Sequence, residues 1–201
     1  MKGICGKLLE IDLSSGKTKI ITLKEEMFEK YLGGRGSGIR LLYDMLPPKT
    51  DPLSPDNLLF FLTGPLTGTY VTGSSKFVVI TKSPLTHGWC DSYSSGRISV
   101  ELKKAGYDGL VIRGKSNHPC YLRIDNKGAE IREANLLWGR DSFETERALK
   151  EIEGDPSVGV SSIGPAGEKL VRFASINSDL YRQAGRGGVG AVMGSKNHKA
   201  I

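Results

Sequence analysis

Residues 183–196 read "QAGRGGVGAVMGSK", with glycines at 185, 187 and 190 in the spacing G-x-G-x-x-G. Taken as a dinucleotide fingerprint, this stretch would place the chain in a doubly wound parallel α/β fold. The fingerprint needs a strand before it, a helix opening on its glycines and an acidic residue about 20 positions further on to hold a ribose hydroxyl. The sequence reaches Ile201 soon after Gly190, and no acidic residue lies between. Gly194, Ser195 and Asn197 propagate a helix poorly. Lys196 is separated from Gly194 by a serine, so the stretch is not a P-loop either. The glycines call for another account.

Outward from this stretch, the chain alternates short strands with short helices. Residues 6–22 alternate around a Ser-Ser-Gly turn and predict a β-hairpin. Thr22 with Glu25 has the spacing of a capping box, opening a helix that Gly33, Gly34, Gly36 and Gly38 interrupt before "IRLLYDML" resumes it. Strands are expected at 57–63, 76–83, 109–114, 158–164 and 169–177. A hairpin is expected at 120–134 around Asn126-Lys127-Gly128, and a short helix at 96–105. The best helix signal is "SFETERALKEIEG", with Ser142 as N-cap and Gly154 as the stop. Strand outweighs helix and no linker divides the chain, which predicts an α+β fold.

A repeat is visible within this pattern. "LLFFLTGPLTG" and "VGVSSIGPAGEK" both run strand, Gly-Pro, small residue, glycine, with prolines at 65 and 165. Each leads to a second glycine-rich loop, "DSYSSGRISVELKKAGYDGLVI" and "LYRQAGRGGVGAVMGSKNHKAI", which align on Gly96-Arg97 and Gly185-Arg186. The repeats span roughly 55–115 and 155–201. Two related loops suit a ligand with two similar halves, because glycines admit close backbone approach and arginine offers a planar fork for phosphate. Lys76, Arg97, Arg182 and Arg186 are the cations beside them. Equally, such glycines can serve tight strand connections with the arginines solvated.

The net charge of +6 fits an anionic ligand. Nucleic-acid binding is disfavoured: the basic residues are dispersed and no recognition motif occurs. Cys5, Cys90 and Cys120 have no metal-ligand spacing and are expected to be small buried or half-buried residues. His87, His118 and His198 are expected to be exposed and non-catalytic. The N-terminus "MKGICGKLLEIDLSSG" is no signal peptide and no run approaches membrane-spanning length, so a cytoplasmic protein is expected.

Read together, "YLGGRG", "DPLSPDN", "TGPLTGT", "TKSPLTHG", "ELKKAGYDGLVIRGK", "LWG" with a following "ETE", "SIGPAGE" and "AGRGGVGAVMGSKNHKAI" occur in a specific order. The series closely resembles the N-terminal domain of the tungsten-containing aldehyde ferredoxin oxidoreductase family, across essentially the whole chain. The resemblance implies a single domain over 1–201: duplicated, intertwined repeats forming two β-sheets with a few short helices, a platform for a tungsten (or molybdenum) bis-pterin cofactor. It implies Lys76, Ser95, Gly96, Arg182, Gly185 and Arg186 as cofactor contacts. It also implies the backbone carbonyls of Tyr93 and Gln183 as ligands of a magnesium ion bridging the pterin phosphates. Lysine at 76 puts a point charge where an arginine would place a fork. The family's 4Fe-4S cysteines and proton-handling residues lie in later domains, so no catalytic residue is expected here and the chain alone should be inactive. The complete enzyme would oxidise an aldehyde to a carboxylic acid and pass electrons through the cluster to ferredoxin, partnered by its remaining domains or a further subunit. A stand-alone pterin-cofactor carrier or accessory subunit is the alternative.

Overall fold

The structure is a computed structural model that describes residues 3–201; residues 1 and 2, the start of the N-terminal segment considered above, lie outside the described residues. The first half runs β1 (Lys7–Asp12), β2 (Lys17–Thr22), α1 (Glu25–Tyr31), α2 (Gly34–Met45), β3 (Leu59–Thr63), β4 (Lys76–Lys82), β5 (Trp89–Ser95), α3 (Arg97–Lys104) and β6 (Gly109–Arg113). The second runs β7 (Cys120–Asp125), β8 (Gly128–Glu133), α4 (Ser142–Glu153), β9 (Ser161–Ser162), α5 (Pro165–Glu168), β10 (Ile176–Ser178), β11 (Arg182–Ala184), α6 (Val189–Ser195) and β12 (His198–Ala200).

Each half makes one six-stranded sheet. The first is ordered β2-β1-β6-β3-β4-β5 and the second β8-β7-β12-β9-β10-β11. The orders are the same with every strand advanced by six. The pairings match as well: β1 with β6 and β7 with β12 are parallel, and the remaining neighbours are antiparallel. The halves follow one another along the chain and exchange no strand. What intertwines them is a shared core.

That core explains the hydrophobic runs. β3 is buried along its whole length because alternate residues meet different layers. Phe60 and Leu62 pack with Leu41 and Leu42 of α2, whereas Leu59 and Phe61 pack with Ile163, Val189 and Met193 of the second half. Phe61 stacks on Phe77 at 5.9 Å. The far face of the second sheet is closed by α4, through Leu149 against Tyr121, Val160 and Ala200.

The structure shifts several local expectations. The first helix is capped by the backbone at Lys24 without a side-chain bond, so Thr22 and Glu25 form no capping box. The glycines at 34, 36 and 38 lie inside α2, where a side chain at 38 would run into Leu62 and Ile80. Asp141, not Ser142, caps α4: its carboxylate accepts the Glu144 amide at 2.8 Å while Glu144 accepts the Asp141 amide at 3.2 Å. Residues 91–95, expected to open a glycine-rich loop, belong to the edge strand β5. Residues 169–175 turn instead of extending, leaving β10 only three residues long.

A helix does follow the opening glycines. α6 is seven residues long and every one is buried. Packing overrides its low propensity: side chains at 190 or 194 would collide with the carbonyls of Ser175 and Gly167. These glycines serve close packing. Just beyond α6, the Lys196 ammonium is fully buried and donates to the carbonyls of Pro55 (3.0 Å), Asn57 (2.6 Å) and Gly114 (3.1 Å). Burial pulls its pKa down to about 7, while three acceptors match the three N–H groups of an ammonium. Lys199, also fully buried, meets Glu168 at 2.5 Å and the Arg140 carbonyl at 2.8 Å.

Lys196→Ala leaves the buried carbonyls of Asn57 and Gly114 without their donor, leaves Pro55 only the Gly114 amide, and opens a cavity at the seam. It should cost about 3 kcal/mol or more of unfolding free energy in urea at neutral pH. A loss below about 1 kcal/mol would mean that the seam does not depend on it.

Candidate functional site

β5 ends one sheet and β11 ends the other, so each leaves part of its backbone without a partner in its own sheet. Packing of the two halves brings these edges together. The Arg186 amide donates to Ser92 Oγ at 2.9 Å, joining the turn after β11 to β5. The Ser83 hydroxyl donates to the Gly187 carbonyl at 2.7 Å. The Arg97 amide donates to the Asp179 carboxylate, joining the turn after β5 to the turn before β11.

On and beside these strands stand the residues singled out by sequence. Lys76 begins β4 opposite Ser95, and Tyr93 projects outward from β5 opposite Val78. Gly96, with φ of 121°, lies between the Asp179 carboxylate and the Arg182 stem, and a side chain there would collide with the carboxylate. Arg182, Gln183, Gly185 and Arg186 are exposed along β11 and its following turn. A Cβ at Gly185 would meet nothing within 4 Å, so the space over it is open. Lys76, Arg182 and Arg186 have no ion-pair partner among the described residues. Two buried atoms, Ser94 Oγ on β5 and Asn177 Oδ1 on the neighbouring β10, have no hydrogen-bond partner, and Asn177 sits opposite Gln183. The apolar cavity of about 230 Å³ beneath α3 and α4 includes none of these residues.

An open ledge carrying unpaired cations and free edge backbone can hold a flat, polyanionic ligand across both halves. Over residues 8–201 the chain matches the family described as aldehyde ferredoxin oxidoreductase, N-terminal domain. The chain belongs to this family.

Its relatives within the aldehyde ferredoxin oxidoreductases include the tungsten-containing aldehyde ferredoxin oxidoreductase of Pyrococcus abyssi, 52% identical over the whole of this chain and 33% of the relative. The aliphatic sulfonate oxidoreductase, WOR-like subunit, of Pyrococcus furiosus is 43% identical over 98% of this chain and 34% of its own length. Among solved structures, the active site complex BamBC of benzoyl coenzyme A reductase, in complex with 1,5 dienoyl-CoA, superposes with a TM-score of 0.97. It is 42% identical and covers all of this chain and 30% of its own. The chain spans about a third of the length of the curated relatives it matches.

Of the remaining candidate groups, Cys90 stands on β5 with its Sγ 4.0 Å from the Gly187 carbonyl, and the others lie off β5 and β11. Cys5 and Cys90 are half-buried, Cys120 is buried, and all three are free. Burial pushes the thiols of Cys90 and Cys120 up to about 11, which makes them poor thiolate ligands. Among the described residues no group of three or more His, Cys, Asp or Glu side chains is placed to hold a metal ion. His87 and His118 are exposed, but His198 is not: it is fully buried in β12, with Nε2 2.9 Å from the Ala200 carbonyl and Nδ1 unpartnered. Its position at the interior end of a central strand overrides the polar character that suggested exposure. Sequence reasoning also passed over Asp179 and Ser92, whose partners lie 82 and 94 positions away. No local pattern marks them.

Burial lowers the His198 pKa from 6.5 to about 3. The folded state therefore holds the neutral ring, and stability is complete above pH 6.5 and declines as pH falls toward 3. The loss should approach about 1.4 kcal/mol per pH unit within that window, less in His198→Gln, as read by denaturant unfolding at pH 7 and pH 5. Identical slopes in both proteins would contradict it.

Proposed function

We propose that the ledge formed by β5 and β11 binds a tungsten (or molybdenum) bis-pterin cofactor. On this reading the chain is the cofactor platform of an aldehyde:ferredoxin-type oxidoreductase. The carrying observation is the convergence of two matching sheet edges, each with a Gly-Arg turn and unpaired cations, because a bis-pterin has two similar anionic halves. When bound, such a cofactor supplies two-electron chemistry at its metal. The residues of this chain bind, orient and neutralise. The Arg182 and Arg186 guanidinium groups offer planar forks to phosphate, and Lys76 adds a point charge. Gly185 keeps the approach to the backbone open, while Ser95 and Gly96 place the first turn beside it. The carbonyls of Tyr93 and Gln183, one on each edge strand, are suited to a magnesium ion shared between the halves, since hard cations prefer oxygen ligands.

The tungsten-containing names of the relatives support the metal, and their threefold greater length supports further domains or a partner subunit as the source of a 4Fe-4S cluster and proton-handling groups. Aldehyde oxidation with transfer to ferredoxin, in the cytoplasm, is the activity of the complete enzyme on this reading. Among the described residues no helix is long and apolar enough to cross a membrane. The repeats of 55–115 and 155–201 extend, on the strand orders above, to the hairpins β1–β2 and β7–β8.

Arg182→Ala in the complete enzyme should lower pterin and metal content per chain about 10-fold, in line with loss of a charge-assisted phosphate contact, while the melting temperature of the cofactor-free protein stays the same. Unchanged pterin and metal would remove Arg182 from the site.

A further inference from the structure

The two Gly-Arg turns are locked to each other by a reciprocal pair of hydrogen bonds. The amide of Arg97, in the first half, donates to the carboxylate of Asp179 in the second. The amide of Arg186, in the second half, donates at 2.9 Å to the hydroxyl of Ser92 in the first. In each case the arginine amide following the aligned glycine is received by a side chain from the opposite half.

The Asp179 side of the lock is the more constrained. Asp179 and Leu180 both hold left-handed backbone, with φ of 46° and 65°, which costs a non-glycine residue energy. Their surroundings hold them there. The Leu180 amide donates to Glu146 Oε2 at 2.8 Å, Asn177 Nδ2 donates to the Leu180 carbonyl at 2.8 Å, and the Tyr181 amide donates to the Asp179 carbonyl at 2.8 Å. Glu146 is itself buried and is met by Lys150 at 2.7 Å. The carboxylate so presented takes the first free amide of α3, where the helix dipole favours an anion. Gly96, without a side chain, lets the carboxylate and the Arg182 stem lie against the same point.

We propose that Asp179 is a positioning residue for the cofactor ledge. It sets the separation of the two Gly-Arg turns and the placement of Arg182, and it occupies the N-terminus of α3 so that a ligand phosphate is directed to the exposed cations instead. Ser92 is its neutral counterpart. The inference rests on the cofactor reading above.

The test uses the complete enzyme with Asp179→Ala, Asp179→Asn and Ser92→Ala. Pterin and metal content are measured on the loaded proteins, and amide hydrogen exchange at Arg97 and Arg186 on cofactor-free protein. Asp179→Ala should accelerate exchange at Arg97 and lower pterin content at least five-fold with the melting temperature of the cofactor-free protein nearly unchanged. Asp179→Asn, whose amide oxygen still accepts, should recover most of that content. Ser92→Ala should accelerate exchange at Arg186 and lower pterin content by a smaller factor. Faster exchange at Arg97 with wild-type pterin content would overturn the positioning role, as would pterin loss matched by an equal loss of fold. Should Asp179→Ala fail to fold, wild-type pterin content in Ser92→Ala overturns it. Absence of pterin from the wild-type enzyme would instead overturn the cofactor reading.

Discussion

A charged side chain with no access to water can sit only where its hydrogen bonds are complete, and Lys196 sets that condition for this molecule. Its ammonium lies at the seam between the halves, with the carbonyls of Pro55, Asn57 and Gly114 around it. Those carbonyls belong to the approach to β3 and the exit of β6, central strands of the first sheet. Lys196 itself follows α6 and precedes β12 of the second. One side chain thereby fixes where α6 meets the first sheet. The turn at 185–188 immediately precedes α6, so its position on β5 follows from the same anchor.

From that anchor the ledge is a consequence of topology. Two sheets with the same strand order, packed through one core, end in equivalent edge strands, and those edges meet. An edge strand is ordinarily a liability, since free backbone invites pairing with other chains. Here β11 is only three residues long, and it lies close to β5 with Lys76, Arg182 and Arg186 beside the pair. Uncompensated positive charge both discourages strand addition and attracts an anion. Relatives named for aldehyde, sulfonate and benzoyl-CoA chemistry share sequence with this chain over 98% or more of its length. A common platform with different chemistry is what is expected when the ledge carries a shared cofactor and substrate contacts come from elsewhere.

Much of this was legible in the sequence because it was written in local patterns. The hairpins at 7–22 and 120–133 follow alternation and turn residues, and β3 and β4 follow unbroken apolar runs. α4 is announced by its charges and its Gly154 stop, with an error of one residue at the cap because Asp141 and Ser142 are both good N-caps. The missed features answer to distant partners. β5, "WCDSYSS", lacks the apolar run of a buried strand because it is an edge with one face outward. α6 forms despite two internal glycines because the helix must lie against two carbonyls. His198 reads as exposed and Lys196 only as a lysine out of P-loop spacing, yet each is buried by contacts that no neighbour in sequence predicts. Of the ledge, the Gly-Arg turns and cations were legible as a repeated motif; Asp179 and Ser92, which hold the turns together, were not.

The most direct measurement is on the native protein purified from its own source: intact mass of the chain and any tight partner, with tungsten, molybdenum, iron and pterin determined on the same sample. The account predicts a chain or assembly about three times this length carrying pterin, iron and one of the two heavy metals. A preparation of that size without pterin, or a free chain of 201 residues without iron, would contradict it.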